Sequence, residues 1–433
     1  MPVLPLWIGI TSRRQWIVSH GNPCKRFSGV RCSHSTPHRS RCSQPQSWSL
    51  PNERWTNAMK IYFVAPAYPL RGGIVHYVAI LHNLLKARGH DSKILSFTVQ
   101  YPKFLFPGKT QEEASKENLP VDAEPVFSSI NPLSWFATFW KIKHYQPDMV
   151  IFKYWMPFFA PGFGTVCLLT RWFTKTKILF ICDNIISHES LPGETLLTRM
   201  LLRLVDFFIV QSDAVKADLL RLHKNAVYRE VAHPIYDVFE SQPLTPDEAR
   251  EQFNLKPGIP VVLFFGFIKP YKGLHVLIDA IPQVRAELPD VQFLIAGEFY
   301  GDREAYLEQI QNLNAGDALQ LHDDYIPNEQ VQAFFRAADV VVLPYISATQ
   351  SGIIQIAYSF DKPVITTRVG GLPEVVLDGK TGFVVPPQDS VALAKAIIRF
   401  FQENHAPNFI ENVREEKKKY SWQPLIEAIE TFS

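Results

Sequence analysis

Short, unbroken apolar runs such as Met149-Val-Ile-Phe152 alternate along this chain with stretches spaced like helices. A strand apolar on both sides needs cover on both faces of its sheet, and consecutive parallel strands need a crossover between them. Such an alternation therefore predicts parallel sheets wrapped in helices. The runs predict strands at 60–65, 92–97, 148–153, 177–182 and 206–211, then at 261–266, 291–296, 318–322, 339–343 and 363–367. Helical patterns fall at 74–88, 274–288, 302–313, 328–337, 353–360 and 390–402.

Ten strands would make an unusually wide open sheet. A Pro-rich break, Ser241-Gln-Pro-Leu-Thr-Pro246 followed by Lys256-Pro-Gly258, divides the strands into two sets. The expected fold is α/β, with two doubly wound Rossmann-like domains at 59–240 and 241–410 facing a central cleft. Ligands of such sheets sit at the carboxyl ends of the strands, so the cleft is the expected site.

Residues 1–58 do not belong to this pattern. They carry eight basic side chains against one acid, Glu53, a balance of +7 within a total of +2, so the remainder is mildly acidic at −5. Rich in Ser, Arg, Pro and His, they read as an over-extended start before Met59, with a transit segment as the alternative. The near-neutral total gives no electrostatic reason to expect nucleic acid. Three of the five cysteines lie in this leader and no C-x-x-C occurs, which points to a reducing compartment with neither a disulfide framework nor a zinc site. The uncharged stretches 154–170 and 340–360 are broken by Pro157, Pro161, Gly162 and Gly164 and by Ser347-Ala-Thr-Gln-Ser-Gly352. Neither is read as a membrane span, which needs about 20 apolar residues. The chain is expected in the cytoplasm, with a peripheral contact at the inner membrane face as a secondary expectation.

Familiar catalytic motifs fail. Gly379-Lys-Thr381 resembles the end of a P-loop, but Glu374 stands where its first glycine belongs, and Gly162-Phe-Gly164 lacks the third glycine of a dinucleotide fingerprint. Three strand-to-helix loops remain. Arg71-Gly-Gly-Ile74 places Gly72 and Gly73 at a helix start, where backbone can approach an anion. Gly266-Phe-Ile-Lys-Pro-Tyr-Lys-Gly273 projects Lys272, with Lys269 as a weaker partner, and a lysine suits a diphosphate as a mobile point charge. The loop containing Thr349, Gln350, Ser351 and Gly352 brings hydroxyls, an amide and backbone N–H groups to a third helix start. Convergence of these loops on one diphosphate is the central expectation. Lys272 and His188 are the catalytic candidates, His188 as a substrate contact; Tyr325 and Ile326 are a candidate base-binding segment, and Asp183 and Glu374 are further candidates.

The order of these pieces resembles the retaining glycosyltransferases of the GT-B fold, family 4 (glycosyl transferases group 1), over about residues 59–433. The resemblance rests on Arg71-Gly-Gly-Ile74, Phe265-Gly-Phe-Ile-Lys-Pro-Tyr-Lys-Gly-Leu274, Lys362-Pro-Val-Ile365, Gly370-Gly-Leu-Pro-Glu374 and Asp378-Gly-Lys-Thr-Gly382, and is strongest for a subgroup with the Ala-Thr-Gln-Ser-Gly loop. It implies a nucleotide-sugar donor in the second domain, with Lys272 on its diphosphate, Gly72, Gly73 and Gly266 close to it, and Tyr325 and Ile326 cupping the base. It implies an acceptor in the first domain, saccharide or lipid-linked, and a helix within 411–433 returning to that domain. No metal or other cofactor is expected. Phe267 replaces a common arginine, Ala348 and Ile356 stand where two glutamates are common, and Asp183 stands where a histidine is common.

Retaining sugar transfer is thus the leading expectation. Epimerisation or hydrolysis of a sugar nucleotide, and binding without catalysis, are the alternatives. A set of aromatics, Trp135, Phe136, Phe139, Trp140, Trp155, Phe158, Phe159 and Phe163, flanked by Lys141, Lys143 and Arg171, is expected either in the core or at a membrane surface.

Overall fold

Thirteen strands form two parallel sheets in a computed structural model, which describes residues 58–432 apart from 103–105, 107, 114, 116–118, 187–192 and 241–242. The leader at 1–57 lies outside the described residues. The first sheet comprises β1 (Lys60–Val64), β2 (Asp91–Val99), β3 (Ala123–Ser128), β4 (Met149–Tyr154), β5 (Lys177–Cys182), β6 (Phe207–Val210) and β7 (Tyr228–Glu230). Its order is β3-β2-β1-β4-β5-β6-β7. The second comprises β8 (Val261–Phe265), β9 (Gln292–Ala296), β10 (Leu319–His322), β11 (Val340–Leu343), β12 (Val364–Thr367) and β13 (Gly382–Val385), in the order β10-β9-β8-β11-β12-β13.

Both orders reverse direction once, between β1 and β4 and between β8 and β11. The chain leaves the two strands of each pair toward opposite sides, which opens a crevice at their carboxyl ends. The loops after β1, β8 and β11 therefore occupy the switch points of the two sheets.

Each sheet has its own core. All six residues of β4 are buried, and Phe152 packs its ring 5.0 Å from Phe163 and 5.1 Å from Phe180. Burying a side chain of this size contributes about 1.5–3 kcal/mol. Helix Ala160–Phe173 reaches that core because Gly162 has no side chain: a Cβ there would stand 2.7 Å from the ring of Phe127 and 2.9 Å from Trp135. In the second core, helices Leu274–Glu287 and Ser390–Gln402 pack against each other on the sheet.

The last helix, Gln423–Thr431, packs on the first sheet's helices and loops. Glu430 accepts from Arg88 at 3.4 Å and lies 3.1 Å from His90 Nε2, Phe432 stacks on Phe207 at 4.4 Å, and Trp422 donates to the Ile235 carbonyl at 3.0 Å. No helix among the described residues is long and apolar enough to cross a membrane.

Three strands escape the apolar-run reading: β3, β7 and β13. The aromatic set divides. Phe139, Trp155, Phe159 and Phe163 are core, whereas Phe136 and Trp140 are exposed.

Candidate functional site at the two switch points

The loop after β8 is shaped by two glycines in the left-handed region. Gly266 has φ +107° and Gly273 has φ +71°. A Cβ on Gly273 would stand 1.9 Å from the carbonyl oxygen of Pro344, so only glycine lets this loop lie against the loop after β11. Ile346 N–H donates to the Tyr271 carbonyl at 2.8 Å and ties the two loops together.

That clamp fixes Lys272. Its Nζ donates to the Tyr345 hydroxyl at 2.6 Å and lies 4.3 Å from the centre of the same ring. The Tyr345 hydroxyl in turn lies 3.3 Å from Ser351 Oγ. Burial pulls the Lys272 ammonium below the ordinary lysine range. Among the described residues, no carboxylate forms an ion pair with it. A half-buried cation paired to a neutral phenol keeps its attraction for an incoming anion.

Among the described residues, helices Gly73–Ala87, Leu274–Glu287 and Gly352–Ser359 all begin without a hydrogen bond from their first N–H groups to the side chain of the capping residue. Tyr236 links two of these starts. Its hydroxyl donates to the Gly73 carbonyl at 3.4 Å, and a Cβ on Gly352 would stand 3.5 Å from its ring. A Cβ on Gly266 would stand 3.3 Å from Ile353 in the same helix. The structure thus gathers Gly73, Gly266, Lys272, Ser351 and Gly352 through two tyrosines, Tyr345 and Tyr236, that the sequence reading does not name. Gly72, φ +112°, caps its helix beside them.

Asp183, at the end of β5, is not a free carboxylate. It accepts from the buried Lys153 at 2.6 Å and from Gln350 Nε2 at 2.8 Å. Lys153 also donates to Gln211 at 3.3 Å and sits 3.8 Å over the ring of Tyr77. Burial lowers the lysine's pKa, and the negative charge of Asp183 opposes that shift. Thr349 donates to the Asp183 carbonyl at 3.4 Å and to Asn184. The loop after β11 is therefore hydrogen-bonded to the first sheet. His188 lies outside the described residues.

The base-binding candidates lie at a second crossing between the lobes. Tyr325 donates to Glu113 at 2.5 Å and lies 4.5 Å from the guanidinium of Arg71. Arg71 is buried, pairs with buried Glu298 and donates to the Tyr300 hydroxyl at 3.2 Å. Lys109 N–H also donates to Glu298, at 2.6 Å. Phe267 stacks on Tyr300 at 4.6 Å and lies 6.2 Å from Tyr325. Ile326 is half-buried in the same segment, and Lys269 lies 5.9 Å over the Tyr300 ring. Arg71 appears in the quoted motif, but its partner lies 227 positions away and leaves no local signal.

Glu374 accepts from the Asp213 N–H at 3.2 Å, across from the second sheet to the first, and burial raises its pKa. It lines a cavity of about 190 Å³ with Gln211, Ser212, His233, Gln350 and Ser351.

Residues 259–403 match the family model described as glycosyl transferases group 1. A D-inositol 3-phosphate glycosyltransferase of Arthrobacter sp. (strain FB24) is 32% identical over 191 residues, covering 42% of this chain and 45% of that protein. A protein of the same description from Corynebacterium urealyticum is 28% identical over 336 residues, 72% of this chain and 76% of its own. The chain spans about half the length of the first curated relatives it matches. Anabaena HepE in complex with UDP shares the fold with a TM-score of 0.68 and 18% identity, over 86% of this chain and 99% of that one. The two sheets are those of the GT-B fold.

Proposed function

We propose that this chain is a glycosyltransferase that moves a sugar from a nucleotide-diphosphate donor to an acceptor with retention of anomeric configuration. The match to the group 1 glycosyl transferase family and the transferase relatives support the activity. The observation that carries the reading is Lys272: an ammonium at the β8/β11 switch point, paired to a phenol and set beside uncapped helix N-termini.

As the bond between the anomeric carbon and the diphosphate breaks, negative charge grows on the departing phosphate oxygen. Lys272 and the N–H groups at Ser351 and Gly352 stabilise that charge. The acceptor hydroxyl attacks from the face that the diphosphate leaves, and its proton passes to the departing oxygen. Gly72 and Gly73 close the site from the other sheet, Tyr325 and Ile326 face the base, and the charge is held by the protein without a required metal ion. Mass analysis tests the reaction: an acceptor that gains the mass of one sugar supports transfer, and hydrolysed or epimerised donor alone contradicts it. Unchanged turnover of Lys272→Ala would remove the assigned role, and loss of activity in EDTA would remove metal independence.

Binding without transfer is the second reading, favoured by Asp183 being neutralised by Lys153. Donor affinity with no turnover across an acceptor panel would select it.

A further inference from the structure

Helix Pro132–Tyr145 is apolar on the wrong side for a helix that only covers a sheet. It buries Thr138, Phe139 and Ile142, yet it also exposes Leu133 (76%), Phe136 (53%) and Trp140 (64%), a stripe at i, i+3 and i+7. The neighbouring helix Ala160–Phe173 ends in Trp172 (66%) and Phe173 (56%), also exposed. The two ends form one patch: Lys143 Nζ lies 5.4 Å from the ring centres of both Trp140 and Phe173, and Phe173 lies 5.9 Å from Phe139. Large exposed apolar patches mark a partner surface.

The charges select the partner. Neither helix contains an acidic residue, while Lys143, His144 and Arg171 lie on their last turns, Lys141 just before, and Lys175 follows the second. Lys141 pairs with Glu124 and Arg171 with Asp206. Among the described residues, no carboxylate forms an ion pair with Lys143 or Lys175. Exposed tryptophans beside uncompensated lysines suit the boundary between headgroups and acyl chains, where indoles settle and cations meet lipid phosphates.

We propose that this two-helix face of the first lobe docks on an anionic lipid bilayer, inserting Trp140, Trp172 and Phe173 while Lys143 and Lys175 contact phosphates. It keeps Trp140 and Phe136 of the aromatic set that the sequence suggests and adds Trp172 and Phe173, whereas Phe139, Trp155, Phe159 and Phe163 are core. The inference is independent of the proposed activity.

Co-sedimentation of the full chain with vesicles tests it, using phosphatidylcholine alone or mixed with phosphatidylglycerol. The mixed vesicles are expected to bind the wild type. Trp140→Glu/Trp172→Glu and Lys143→Glu/Lys175→Glu are each expected to weaken that binding roughly tenfold or more, because each lysine near such a surface contributes about 1 kcal/mol. Both pairs are exposed, and circular dichroism checks that each variant is folded. Equal binding by wild type and variants would overturn the proposal and assign any binding to the basic leader or another face. Absence of sedimentation would also overturn it, as would a dimer in sedimentation velocity that Trp140→Glu dissolves.

Discussion

The ammonium of Lys272 lies 2.6 Å from the hydroxyl of Tyr345, and that hydroxyl lies 3.3 Å from Ser351. Lysine and serine come from loops after different strands of one sheet, and the phenol holds the cation without neutralising it. The pair is possible because Gly273 brings its loop against Pro344.

Gly273 and Gly379 share φ +71°, but only Gly273 has backbone in the place of a Cβ. Gly379→Ala meets nothing within 4 Å and should cost about 1–2 kcal/mol, the price of a left-handed alanine. Gly273→Ala should cost clearly more, since backbone must also move to admit the methyl group. Denaturant titration of both variants decides; equal losses would mean that the close approach to Pro344 is not a constraint.

Arg71 and Glu298 join the two lobes as a buried ion pair. Arg71→Ala leaves a buried carboxylate with the Lys109 N–H but no cation, and should cost about 3–5 kcal/mol. Glu298→Ala strands the guanidinium in the same way. The double variant should cost less than the two singles together, by about 1–3 kcal/mol. Additive losses in a double-mutant cycle would show that the pair does not couple the lobes.

Edge position explains two of the three missed strands, β3 and β7. The third, β13, is also a sheet edge, but Gly382-Phe-Val-Val385 is apolar and buried, and it escapes because it is only four residues long and opens on a glycine in a turn-rich stretch. An edge strand has one unpaired side in contact with solvent, so Ala123-Glu-Pro-Val126 and Tyr228-Arg-Glu230 carry charge or proline where an interior strand is apolar. The interior strands were legible because burial on both faces forces unbroken apolar runs. Within the site, the three glycine-bearing loops were legible from local chemistry. Tyr236, Tyr345 and Glu298 were not, because each acts through a partner brought near only by the fold.

His76, His82 and His233 are buried, and burial holds each imidazole down at about 4. Their unfolded value is about 6.5. The unfolded chain therefore binds more protons than the folded one between these values, so their contribution to stability is full above about pH 6.5 and is lost as pH falls through that window. Each adds a slope of about 1.4 kcal/mol per pH unit within it. Denaturation midpoints from pH 7 down to about pH 5 should fall steadily; a flat profile would contradict neutral burial of the three rings.

Calorimetric titration of nucleoside diphosphates into the full chain, and into Lys272→Ala, tests the central claim most directly. At least one diphosphate should bind the wild type, and the variant should bind it about tenfold to a hundredfold more weakly, the worth of one charge-assisted hydrogen bond. Equal affinity in the two proteins would contradict the placement of the diphosphate at Lys272, and no binding by any nucleoside diphosphate would contradict the donor itself.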